Sequence, residues 1–297
     1  MLSAVIGIVF GIALIAGALI GSRLSQELDL FRFPLCWAGV LLALDGAARL
    51  RRGGSPLARP SDWLACAAAS VVFWDIFELV DLRLKNWWYR GVSPDPWGGA
   101  LFAAVSFATV LPAVRLGTFV LAGEESAPAR SVRPFPVFAL GLAALALALA
   151  FPRFAFPLAW IFLWPICEAL AAVLPPGRGL RSPLEDPRRL RPLLLLALPL
   201  GFLWEAFNYG SARGWIYTVP FVERPKLFEM PLLGYLGYLP FLLEAGAALA
   251  LLDRLRPQLR GVRGVAALLA VVAVHLAVDR ATRAQTVISY SAGPHSR

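Results

Sequence analysis

The sequence predicts an all-α fold: a polytopic membrane helix bundle of about nine transmembrane helices, a tandem parallel duplication of a four-helix unit plus one. Three observations predict it. Of 297 residues, 59% are hydrophobic and only 16% charged, whereas a soluble domain is nearer half apolar and a quarter charged. The apolar residues are gathered into runs of roughly 16 to 23, the length that crosses a bilayer core. Three short motifs also recur in the same order in the two halves of the chain.

Taken in order, the predicted spans begin with Leu2–Gly21, which lacks a basic segment ahead of it and so reads as a retained helix rather than a cleaved leader. Phe33–Leu50, Trp63–Leu82 and Trp97–Val114 or beyond complete the first unit, residues 1–122. Phe135–Phe151, Phe154–Leu174, Pro192–Tyr209 and Pro231–Leu252 make the second, residues 135–253. Val265–Val278 is the added helix, within residues 264–297. Pro157, Pro165 and Pro240 fall inside spans, which membrane helices tolerate when neighbours re-satisfy the freed carbonyls. Cys36, Cys66 and Cys167 all lie in apolar runs and read as small core residues.

A net charge of +9 does not point to nucleic acid, because the arginines sit in short connections between apolar runs, where they read as topology determinants. With nine spans, one side collects about 16 Lys and Arg and the other about 12. The bias predicts a multi-pass protein of the cytoplasmic (inner) membrane with a cytoplasmic N-terminus. It places "KNWWYRGVSPDPW" and "SARGWIYTVPFVERPKLFEMP" outside, with their Trp and Tyr residues in the interfacial belt. The lipid bilayer is the one certain partner on this reading, and no oligomeric state is assigned.

The duplication rests on three pairs. "FPLCW" (Phe33–Trp37) is echoed by "FPLAW" (Phe156–Trp160), "SPLARP" (Ser55–Pro60) by "SPLEDP" (Ser182–Pro187), and "WDIFE" (Trp74–Glu78) by "WEAFN" (Trp204–Asn208). The offset drifts from 123 to 127 to 130, as loop insertions make it. The first motif is followed at equal distance by Asp45 and Glu168. An even number of spans per unit makes the halves parallel, related by an axis along the membrane normal.

Acids inside apolar spans carry the functional expectation. An ionised carboxylate at the bilayer centre costs roughly 2.5–3.5 kcal/mol on insertion scales, so such groups converge, pair or carry a proton. Asp45, Asp75, Glu78, Glu168, Glu205 and Glu244 are of this kind. Asp75 with Glu78, and Glu205 with Asn208, each share a helix face. Glu205 and Asp75 are expected as general acid or proton carrier. Glu78, Asn208, Glu244, Glu229, Trp74, Trp204 and Tyr209 are expected to line the binding site. The structural alternative is that each acid fixes helix packing; for Asp81 it is a pair with Lys85 one turn on. Arg115 either lies beyond the fourth span or is buried in it as a counter-ion. His275 and Asp279, four apart near the end of the last helix, read as a snorkelling or capped pair. Gly234 and Gly237 have the spacing of a close helix contact. Two histidines build no His-rich metal site; an all-carboxylate Mg²⁺ or Ca²⁺ site is the arrangement left open, and no metal or cofactor is assigned. No GxSxG, Walker loop or Cys/His pair is present. "TVPFVERPKLFEMPLLGYLGY" (Thr218–Tyr238), with three prolines, reads as an interfacial loop or as a lid over a cavity mouth.

"LWEAFNYGSARGWIYTVPF" followed by "KLFEMPLLGYLGYLPFLLE" resembles a motif pair, W-E-x-x-N-Y with F-E-M-P-x-x-G-Y-x-G-Y, of a family of bacterial polytopic membrane proteins without an assigned activity. The resemblance covers about 45 residues. It implies a multi-span family with Glu205, Asn208, Glu229 and Glu244 in its pattern, and it implies no reaction. Ala206 stands where that pattern leads one to expect an aromatic residue.

Three functions follow as expectations. The first is transport of a small cationic or proton-coupled substrate through an acidic, aromatic-lined cavity. The second is a membrane-embedded cyclase or isomerase acting on an isoprenoid or other lipophilic ligand, with a buried carboxylic acid as proton donor. The third is a non-catalytic subunit or assembly factor.

Overall fold

A computed structural model describes residues 1–123, 130–175 and 179–291. The end of the predicted C-terminal segment, residues 292–297, and part of the "PPGRGLRSPLEDPRRLRP" loop lie outside the described residues. The chain is a multi-pass membrane protein. Among the described residues, seven helices are long and apolar enough to cross a bilayer, or eight if a pair bent by 44° counts as one span. These are α1 (Leu2–Leu24), α3 (Arg32–Arg52), α4 (Pro60–Leu84), a span from α5 (Pro96–Phe107) and α6 (Val110–Ala122), α10 (Leu190–Asn208), α11 (Tyr238–Leu255) and α12 (Val262–Gln285). The bent pair joins α8 (Pro152–Ala155), with the 3-10 turn Phe156–Trp160, to α9 (Leu163–Val173). A short helix α2 (Gln26–Leu30) follows α1, and α7 (Pro134–Ala150) is apolar but only 17 residues long.

Local chemistry sets the ends. Pro60, Pro96 and Pro134 sit in the first turn of α4, α5 and α7, where a missing N–H costs nothing. Asp95 caps α5 by accepting from the Trp97 and Gly98 amides. Gly53 ends α3 in the left-handed region, at φ 74°. Two spans are broken, and in each a neighbouring helix satisfies the freed backbone. Between α5 and α6, Ser70 of α4 donates to the Phe107 carbonyl (2.5 Å) and accepts from the Leu111 amide (3.0 Å). At the start of α9, Glu244 of α11 accepts from the Leu163 amide at 2.9 Å. Without water, such groups find protein partners or cost several kcal/mol each.

The bundle has two unlike ends. At one, arginines and acids of different connections pair: Arg115 with Asp253 (2.8 Å), Arg254 with Glu185 (2.5 Å) and Arg256 with Asp62. Arg115 is therefore buried as a counter-ion, and its partner is Asp253 rather than one of the mid-span acids. At the other end lie four short strands that no periodicity in the sequence predicts. β1 (Trp87–Arg90) pairs antiparallel with β2 (Gly214–Tyr217), while β3 (Lys226–Leu227) and β4 (Met230–Pro231) form a small hairpin. The tail after α12 adds bridges from Val287 to Tyr89 and from Tyr290 to Val92. Helix α7 runs between the two ends. The Arg130 amide just before it bonds the Glu185 carbonyl, and Phe154 just after it stacks on Phe221 at 5.5 Å.

Candidate functional site

Aromatic packing between the halves forms the centre of the site. Trp74 and Trp204 lie 5.2 Å apart, Trp37 packs on Phe207 at 5.9 Å, and Trp160 stacks on Phe77 at 5.4 Å. The Trp74–Trp204 pair separates two cavities and lines both.

The larger cavity holds about 350 Å³. Trp37, Trp74, Trp87, Trp160, Trp204 and Phe241 wall it, and no charged side chain reaches its surface. The acids expected beside the aromatic wall are not in this cavity: Asp75, Glu78 and Asp279 line the smaller one, next to Trp74, Trp204 and Trp215. Among the described residues on the larger cavity's wall, Asn86, Tyr217 and Tyr238 are the polar side chains beside the indoles. Both tyrosine hydroxyls donate to Oε1 of Glu205, at 2.8 and 2.6 Å. Glu205 itself is fully buried, and its Oε2 has no protein partner. The tyrosines therefore connect a buried carboxyl group to an apolar chamber. Val219, Val222, Met230 and the 3-10 turn Leu232–Gly237 close one side, so the Thr218–Tyr238 segment lies over this cavity. Gly234 and Gly237 belong to that turn and not to a helix pair. Gly237 approaches Trp160, and Gly234 approaches Met230.

The smaller cavity, about 80 Å³, lies at the strand end and is polar on one side. Glu78 accepts at Oε1 from Trp74 Nε1 (2.9 Å), Trp87 Nε1 (3.3 Å) and the Tyr89 hydroxyl (2.5 Å), and at Oε2 from Thr282 (3.3 Å). Asp75 faces Nδ1 of His275 at 3.0 Å, while His275 Nε2 lies 2.9 Å from the Ala100 carbonyl. A carbonyl only accepts, so Nε2 carries a hydrogen. The Asp75–His275 contact then holds one further proton, on either the imidazole or the carboxyl. Asp279 bonds Arg283 (2.7 Å), so the expected His275–Asp279 pair is not made; each residue finds a stronger partner. Burial, and then the Glu78 charge, push the Tyr89 hydroxyl well above its ordinary value. Tyr217 is raised in the same way by burial and Glu205. Both remain donors across the physiological range.

Other predicted site residues lie elsewhere. Asn208 is a clamp: its side-chain amide bonds both the N–H and the carbonyl of Trp215 at 2.9 Å, fixing β2. Glu244 caps α9, outside both cavities. Glu229 faces Arg90 at 3.5 Å at the strand end. Tyr209 is 54% exposed and packs on Phe228, away from both cavities. Asp45 pairs with Arg49 on the helix surface (2.6 Å). Glu168 takes the Trp164 indole and the Leu184 amide, both at 2.9 Å. Asp81 accepts from the Asn86 amide (2.7 Å), and Lys85 turns instead to Gln285, so their expected pair is absent. Asp75, Glu78, Trp74, Trp204 and Glu205 are thus the predicted residues brought together around the central wall. Among the described residues, no three His, Cys, Asp or Glu side chains gather closely enough to hold a metal ion.

The chain matches no protein-family model, no curated protein and no solved structure.

The sequence reading passes over Tyr89, Tyr217, Tyr238, Thr282 and His275 as partners of the acids. One signal for two of them is present. Trp87-Trp88-Tyr89 and Trp215-Ile216-Tyr217 repeat a W-x-Y pattern at an offset of 128, within the drift of the other motifs. His275, Thr282 and Tyr238 carry no such signal, because their partners lie on distant helices.

Proposed function

We propose that this membrane protein binds a lipophilic molecule of isoprenoid or similar hydrocarbon character in the aromatic cavity and transforms it by acid catalysis, with Glu205 as the proton source. The observation that carries the reading is the cavity wall: about 350 Å³ without a charged side chain, joined to a buried carboxyl only through two tyrosine hydroxyls. Such a chamber accepts a hydrocarbon and leaves a hydrated cation poorly served. In the proposed step, the Tyr238 or Tyr217 hydroxyl turns its hydrogen from Glu205 to a carbon–carbon double bond and gives it up there, while the proton held on Glu205 passes to the same phenol oxygen in its place. The indole faces shelter the resulting cation. A proton lost from a neighbouring carbon returns by the same relay, so the net change is isomerisation or ring closure with no co-reactant. Tyr217 and Tyr238 orient and relay, while Trp37, Trp74, Trp160 and Trp204 bind.

The reading includes a duplicated architecture of nine spans in the inner membrane, with α7 as the first of the second unit and α12 as the added helix. Reciprocal contacts support the duplication. Trp37 of the first half packs on Phe207 of the second, and Trp160 of the second packs on Phe77 of the first. In the β1–β2 pair, Trp87 is opposite Tyr217 and Tyr89 opposite Trp215. Such swapped pairs are what a two-fold axis along the membrane normal produces. The proton-coupled transport reading keeps one supporting observation, the Asp75–His275 pair, which holds a movable proton beside Glu78.

The test is mass spectrometry of small molecules that co-purify with wild type and with Glu205→Gln. We expect a hydrocarbon-rich ligand in both, chemically altered in wild type and unaltered in the variant. The absence of any lipophilic ligand, together with proton or cation flux in vesicles that Glu205→Gln abolishes, would establish transport and sink the enzyme reading.

A further inference from the structure

The smaller cavity carries a charge pattern that the proposed chemistry does not use. Three arginines reach it: Arg90, Arg213 and Arg283. The acids on its wall are already served. Glu78 receives four donors, Asp75 faces His275, and Asp279 bonds Arg283. Arg283 also donates to the Ser93 and Pro96 carbonyls (2.9 and 3.4 Å), so its guanidinium is fixed against the start of α5.

Arg213 is different. Its Nε donates to the Gly91 carbonyl at 3.0 Å, and its guanidinium lies over the Phe102 ring at 4.4 Å, with Phe31 at 5.8 Å. Among the described residues it has no carboxylate within ion-pair distance. Burial, and next the positive charge of Arg283, hold its guanidinium below the ordinary arginine range. Arg90 reaches Glu229 with one nitrogen at 3.5 Å, while its Nε is buried without an acceptor. The two strands and α12 thus hold guanidinium groups around one small chamber, with donor capacity left over on two of them. Asp279 offsets Arg283, but among the described residues no carboxylate reaches Arg213, and a partly buried guanidinium so placed is costly unless an anion joins it.

We propose that this chamber is a binding site for one small anionic group, a phosphate or a carboxylate, gripped by Arg213 with Arg283 and Arg90 beside it. Its volume, about 80 Å³, is the share of roughly three water molecules. That admits a single phosphate or carboxylate and excludes a nucleotide. Free anion and lipid headgroup present the same chemistry here, because the chamber is at the strand end, where a span meets the membrane surface. The site does not rest on the hydrocarbon reading of the aromatic cavity, and each can fail without the other.

The test is thermal unfolding of the full-length protein, followed by tryptophan fluorescence, in delipidated detergent solution and in nanodiscs. The probes are inorganic phosphate and acetate at constant ionic strength, then phosphatidylglycerol against phosphatidylcholine. Wild type is expected to gain about 3 °C in Tm at saturating anion. Arg213→Gln should abolish the gain and Arg213→Lys should retain part of it. Arg224→Gln, an exposed arginine at the same end, should leave it unchanged. A gain with phosphate or acetate assigns a free anion; a gain with phosphatidylglycerol alone assigns a headgroup. The proposal is overturned if neither source stabilises wild type, or if Arg213→Gln responds as wild type does. If Arg213→Gln does not fold, Arg213→Lys decides: an undiminished gain in that variant also overturns the assignment, because ammonium lacks the planar fork.

Discussion

Glu205 and Glu244 look alike in the sequence, each an acid among Leu, Phe and Ala, yet their surroundings give them different work. Glu205 receives two phenol hydroxyls that open onto a cavity, whereas Glu244 receives a backbone amide at a helix start. Spacing along one helix shows which side chains share a face. It does not show what the facing helix offers, and Leu163 is 81 residues from Glu244. The difference is therefore illegible until the helices are packed. It is open to experiment. Glu244→Ala leaves the Leu163 amide without an acceptor in a place that water does not reach, costing about 1–3 kcal/mol. Glu244→Gln keeps an oxygen for that amide. We expect a clear fall in Tm for the alanine variant, a near-normal Tm for the glutamine variant, and unchanged ligand content in the latter. A folded Glu244→Gln that loses the ligand chemistry would return Glu244 to the site.

At the scale of elements, the spans were legible because a bilayer demands length and apolarity, and both are properties of a run of residues. The breaks were not. Pro112 and Pro165 lie just beyond the interruptions before α6 and α9, but prolines elsewhere in the chain leave helices whole, as Pro199 does in α10. What permits a break is the polar group opposite it, Ser70 in one case and Glu244 in the other. The strands escaped for a similar reason: four residues at the membrane surface form β1 only because β2 is held beside it by Asn208. Contact between α10 and α11 has a functional consequence at Gly201. A Cβ there would overlap the Tyr238 ring, whose hydroxyl bonds Glu205. Gly201→Ala is expected to push that ring off the carboxyl, with a stability loss of about 1–3 kcal/mol from overpacking. Turnover of the bound ligand should fall much further than the Tm. Tyr238→Phe should reproduce the loss of turnover without the overpacking. Unimpaired turnover in both variants would leave Tyr217 as the only relay.

For the whole molecule, the arrangement of ends makes a prediction that a single helix cannot. Connections that pair at the arginine-rich end are those around residues 53–59, 120–123, 130–133, 180–189 and 254–261, while the strand end gathers those around 25–31, 85–95, 209–231 and 286–291. The two sets alternate along the chain only if α7, short as it is, crosses as well. Seventeen residues of α-helix span about 25 Å, less than a typical hydrocarbon core, so a crossing by α7 draws the bilayer thinner around it or leans on its neighbours. Nine crossings put the termini on opposite faces; eight put them on the same face. By the positive-inside rule, the excess of Lys and Arg at the arginine-rich end leads us to propose that this end is cytoplasmic. Fusions to a reporter active only in the periplasm and to one fluorescent only in the cytoplasm separate the cases. We expect a reporter in the Gly53–Gly54 loop to be cytoplasmic and one after Arg297 to be periplasmic. If both are cytoplasmic, α7 does not span, and the second unit loses its first helix. The parallel two-fold relation would then have to rest on α3 with the α8–α9 pair and on α4 with α10 alone, which is where the recurring motifs lie and where Trp74 meets Trp204.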